Sequence, residues 1–116
     1  MIGLDNLMKR KGVLAAGQFS SDGKVVRATG ELSKAQMEQV ALVCSLQQRD
    51  VEMSSLDLSS ATEMDWEGSG GWVLWSGRYA LCVSGDTGVI VEASKADFNQ
   101  LMVDLYGPPA GGTPLM

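Results

Sequence analysis

The 116-residue chain contains no histidine, which removes the commonest general base of protein catalysis. It has only two cysteines, Cys44 and Cys82, far apart in sequence. Such a pair makes neither a metal cluster nor the dense disulfide framework of a small secreted domain. It would be a redox pair only if a long helix laid Cys44 over Cys82, and it reads rather as two buried thiols. No glycine-rich loop runs from a strand into a helix with the Lys-Ser/Thr ending that cradles phosphate. Gly68-Ser69-Gly70-Gly71 comes nearest, but it precedes a strand-like segment and reads as a hinge. Basic charge is scarce: nine Lys and Arg stand against fourteen Asp and Glu, a net charge of -5. Nucleic acid and anionic membrane surfaces reward clustered positive charge, so neither is an expected partner. Lys9-Arg10-Lys11 is the exception. Placed before Gly12, it reads as a helix C-terminus, where the dipole favours cations. No apolar run approaches a membrane span, and no charged segment leads into a signal-like stretch. The expectation is a cytoplasmic protein with no catalytic residues, no metal and no cofactor.

What is present is pattern. Hydrophobic residues make up 45% of a chain long enough to bury one core, so a single domain is expected over residues 1–106. Residues 2–11 carry Leu4, Leu7 and Met8 at helical spacing, and Gly12 ends them. Residues 13–19 and 24–29 read as strands joined by Ser21-Asp22-Gly23-Lys24, an Asp-Gly hairpin signal that predicts a type I′ turn. Ser33-x-x-Gln36 fits a capping box, and Met37, Val40, Ala41 and Cys44 follow at i, i+3, i+4 and i+7. This predicts a helix of about 20 residues, 33–53. The acidic, serine-rich segment that follows reads mostly as a solvated connection. Trp72 to Trp75, residues 79–83 and residues 89–93 then read as three strands joined by short turns, which implies an antiparallel meander. Ser94-x-x-Asp97 reads as a second capping box, opening a helix with Phe98, Leu101, Met102 and Leu105 on its buried stripe. Residues 107–116, rich in glycine and proline, read as a flexible tail. Ala80-Leu81-Cys82-Val83 and Val89-Ile90-Val91 are apolar at consecutive positions. Both faces of the sheet must therefore be covered, by helices or by a second copy.

Among candidate sites, Glu63, Asp65 and Glu67 alternate around Trp66 but lack the ligand spacing of a calcium loop, and read as a solvated face. Trp66, Trp72 and Trp75 are the recognition candidates, because aromatic residues concentrate at interface hot spots. Trp72 and Trp75 fall on opposite faces of their strand. A rival reading is a small-molecule sensor with a pocket between sheet and helix, lined by Phe19, Trp75 and Met102.

The order α-β-β-α-β-β-β-α resembles the Roadblock superfamily, the dynein-light-chain-like domains, over about residues 2–106. The opening helix leads into Gly12-Val13-Leu14-Ala15-Ala16-Gly17 with Ser21-Asp22-Gly23 at the hairpin tip. The long central helix follows, and a last helix closes the meander. The chain departs from better-known members in its Trp-rich third strand and acidic, serine-rich connection, and is similar to a small prokaryotic branch of undefined function. The resemblance implies an α+β, profilin-like fold: a five-stranded antiparallel sheet with the long helix on one face and two shorter ones on the other. It also implies a homodimer whose third strands pair edge to edge through Trp72, Val73, Leu74 and Trp75. The long helices would then pack through Met37, Val40, Ala41 and Cys44. The role it implies is a non-enzymatic scaffold or regulatory subunit. The protein partners it offers are a small GTPase and a sulfur-oxidation complex resembling heterodisulfide reductase.

Overall fold

The computed structural model describes residues 3–66 and 71–106. Along them run α1 (Leu4–Met8), β1 (Val13–Phe19), β2 (Val25–Gly30), α2 (Lys34–Thr62), β3 (Trp72–Trp75), β4 (Tyr79–Ser84), β5 (Thr87–Glu92) and α3 (Phe98–Tyr106). The five strands form one antiparallel sheet in the order β2-β1-β5-β4-β3. The class and element order are those expected. The tail and most of the glycine hinge lie outside the described residues.

Consecutive apolar residues in the central strands have the consequence read from the sequence: both faces are covered. Ala80 and Cys82 of β4 and Val89 and Val91 of β5 pack with Leu7 of α1 and with Leu101 and Leu105 of α3. On the other face, Val83 and Phe19 pack with Ala41 and Cys44 of α2. The first layer is fastened by a polar clasp. Arg10, from the basic triplet, reaches across to α3, its Nε 2.6 Å and its Nη2 3.2 Å from the Asp104 carboxylate. Gln100 Nε2 donates to the same carboxylate at 2.8 Å. Asp104 is only 5% exposed, so these donors stand in for the water it has lost.

Three local expectations need correction. The β1–β2 turn is not type I′, because among its residues only Gly23 takes a positive φ, 83°. Gly23 N–H donates to the Ser20 carbonyl and Ser20 N–H to the Lys24 carbonyl. That is a type I turn closed by a left-handed glycine. Helix α2 has the predicted capping box at Ser33 and Gln36, yet it continues past Met53 to Thr62. The Ser55 hydroxyl donates to the Val51 carbonyl and that of Thr62 to the Leu58 carbonyl, so these side chains are satisfied within the helix rather than against it. Glu63, left-handed at φ 57°, ends the helix. At 1.5 Å per residue α2 is about 43 Å long, which matches the longest dimension of the molecule, 43 Å. At α3 the cap is Asp97 rather than Ser94: Asp97 Oδ1 accepts the Gln100 N–H at 3.0 Å.

Candidate functional site

The third strand lies at one border of the sheet. β3 pairs with β4 alone, with Trp72 opposite Val83, Val73 opposite Cys82, Leu74 opposite Leu81 and Trp75 opposite Ala80. Among the described residues its outer border has no strand neighbour. The register sends Trp72 and Leu74 to the α2 face and Val73 and Trp75 to the α3 face, so the two tryptophans do part as expected. Trp72 is half-buried and its indole N–H donates to Gln48 Oε1 of α2 at 2.8 Å. Trp75 is 69% exposed, with its indole N–H on the Gly77 carbonyl. Val73 and Leu74 are also exposed. Entry into β3 is sterically exact in one respect. A Cβ on Gly71 would stand 2.3 Å from the Val83 carbonyl oxygen and 2.7 Å from Met102 Cε, so the chain passes there only as glycine.

The two borders of the sheet differ in kind. β2, at the other end, carries Lys24 before it and Arg27 within it. Its register slips where Gln18 pairs with Arg27 and Phe19 with Val25, which leaves Val26 as a bulge. Cations and a bulge are the usual defences of an edge. β3 has neither: four residues, all apolar or aromatic, no charge.

Helix α2 supplies a second surface, though not through the residues read from the sequence. Met37, Ala41 and Cys44 are buried, and Val40 packs against the same cluster. In the single chain Met37, Val40, Ala41 and Cys44, the residues expected to meet a second long helix, cover their own sheet. The residues left outside are Leu42, Val43, Leu46, Met53, Leu56 and Leu58, all at least 40% exposed. Their signal was present in the sequence as a second stripe, Leu42-Leu46-Met53-Leu56, at helical spacing.

The family model described as "Uncharacterized conserved protein (DUF2173)" matches residues 3–106. The chain belongs to the DUF2173 family. Among solved structures, the DUF2173 chain is similar to a Roadblock/LC7 domain from Streptomyces avermitilis, with a TM-score of 0.67 at 18% identity. The match covers 88% of this chain and 84% of that one. The fold is therefore that of Roadblock/LC7 domains. No curated protein matches the chain.

The remaining candidates in the DUF2173 chain are not brought together. Cys44 lies in the α2 layer and Cys82 in the α1–α3 layer, so the sheet itself separates the two thiols. Burial pushes both up to about 11, where the reactive thiolate is scarce at neutral pH. Trp66 folds back on the end of α2: its backbone N–H donates to Ser59 Oγ at 2.8 Å and its indole to Thr62 Oγ1 at 3.1 Å. Among the described residues no three His, Cys, Asp or Glu side chains are grouped to hold a metal; Glu67 lies outside them. The pocket expected from Phe19, Trp75 and Met102 does not form, because Phe19 faces α2 whereas Trp75 and Met102 lie on the opposite face. Phe19 instead lines a narrow cleft with Val25, Met37, Val40, Cys44 and Ile90. Its volume is about 30 Å³, room for about two waters at 10–15 Å³ each. No described helix is long and apolar enough to cross a membrane.

Proposed function

We propose that the DUF2173 chain is a non-enzymatic homodimer that serves as a scaffold or regulatory subunit through protein–protein contacts. The observation that carries this reading is the undefended border of β3. Its outer N–H and C=O groups point at solvent beside Val73, Leu74 and Trp75, with no charge, bulge or proline to turn a neighbour away. A two-fold axis beside β3 would pair it with its own copy and join two five-stranded sheets into one of ten strands. The same axis would bring together the α2 helices, whose outer apolar band is long enough to cover a second helix. An isologous interface would set each of these surfaces against its own copy.

Function would then reside on the composite surface. The Roadblock likeness supports a protein as the partner, and the two classes it implies are a small GTPase and a sulfur-oxidation complex resembling heterodisulfide reductase. Sedimentation at low micromolar concentration tests the dimer, and a stable monomer there would overturn it. Binding of each purified partner class to wild type and to a Leu74→Lys variant then tests whether the dimer is the binding form.

A further inference from the structure

The opposite border of the sheet carries a groove that β3 pairing leaves open. Its floor follows the chain without a break from Gly23 to Gly30, and its wall is Leu32 with the start of α2, where Lys34 and Glu38 are exposed. It encloses about 900 Å³. Among the described residues β2 pairs only with β1, so every second backbone N–H and C=O along it faces outward. Ala28 stands opposite Gly17 on the α2 side of the sheet and is nevertheless exposed, because α2 stops short of this border. The result is a slot one chain wide between a strand edge and a helix. An extended peptide laid in it gains backbone hydrogen bonds from β2 and covers Val25 and Ala28 with alternate side chains.

The charge of the slot selects its occupant. In a chain of net charge -5, the lining holds Lys24, Arg27 and Lys34 against the single acid Glu38. Arg27 flanks this border from the other face of the sheet, opposite Gln18, whose Oε1 accepts from its Nη2 at 3.1 Å and Nε at 3.3 Å. A second copy is a poor guest. Antiparallel β2–β2 pairing would bring Lys24 and Arg27 towards their own counterparts, and the bulge at Val26 would break the register. The same cations attract an acidic strand. We propose that the groove between β2 and α2 takes an extended, acidic segment of a partner protein as a sixth strand.

The test uses the whole chain and a fluorescent peptide of about eight residues alternating valine or threonine with glutamate. Anisotropy should show saturable binding, weakened about tenfold or more by Arg27→Glu and, separately, by Lys34→Glu. Lys34 lies in the first turn of α2, where an acid suits the helix dipole, so that variant keeps its fold; circular dichroism checks both. Lys95→Glu, at an exposed cation on another part of the surface, should change nothing. N-methylation of alternate peptide amides should abolish binding, and amide shifts should gather on residues 25–30. Equal binding of the N-methylated peptide or of its lysine counterpart would overturn the proposal, as would shifts elsewhere or no saturation by about 1 mM. Oligomers growing beyond the dimer without peptide binding would assign the groove to a second copy and overturn it equally.

Discussion

At the scale of single residues, burial decides the chemistry. Cys44 and Cys82 sit in separate apolar layers, and desolvation raises both thiols from 9.0 to about 11. Both should resist a thiol reagent in the native protein and react at once in denaturant. The sign for stability follows from linkage. A thiol with its folded pKa raised favours folding fully below the unfolded value of 9.0, and that contribution is lost as pH climbs towards 11. Denaturation midpoints should therefore fall between about pH 8.5 and pH 10.5, and Cys44→Ala should flatten that slope. The clasp between Arg10 and Asp104 gives a second test. Arg10→Ala would leave the buried carboxylate with Gln100 but no cation and should cost about 2–3 kcal/mol by chemical denaturation. Asp104→Asn, which keeps an acceptor, should cost less. Neither contact was legible in the sequence, because Arg10 and Asp104 are joined only when α3 folds back over α1.

At the scale of elements, the parts governed by local rules read well. The capping box at Ser33 stands where it was expected, and Ser33→Ala should lower stability by about 1 kcal/mol. β1 has the predicted bounds, because Gly12 and the hairpin signal enclose it. The end of α2 is not legible in the sequence, since serine and aspartate favour turns when considered alone. Here the hydroxyls bond back along the helix, so nine further residues, 54–62, stay helical. The Asp-Gly signal marks the hairpin but not its turn type, because Asp22 keeps a negative φ and only Gly23 is left-handed. Gly71 tests the lead-in to β3. Gly71→Ala forces a Cβ against the Val83 carbonyl oxygen and should cost about 1–3 kcal/mol, with the loss concentrated in amide protection of β3.

For the molecule as a whole, the outcome turns on which surfaces remain after the core is made. The chain satisfies both sheet faces with its own helices and still leaves Val73, Leu74 and Trp75 on an open strand and Leu42, Val43, Leu46 and Met53 on α2. If β3 and α2 join two copies, Leu74→Lys and Leu46→Glu should each shift sedimentation towards monomer. Their circular dichroism should be unchanged, since both positions are exposed in the single chain. Trp75→Ser, at the most exposed of these residues, should leave stability within about 0.5 kcal/mol in the monomer and weaken association.

The sequence by itself determined the order of the elements, the need to cover both sheet faces and the absence of histidine chemistry. These follow from composition and from periodicity between near neighbours in the chain. Only the tertiary structure decided that Met37, Ala41 and Cys44 face inward while Leu42 and Leu46 face out, that the sheet parts the two thiols, and that one border is armed with cations and the other bare. The physical reason is that orientation and edge status depend on partners distant in sequence. Helical periodicity offers α2 two apolar stripes, and the sheet beneath it selects one.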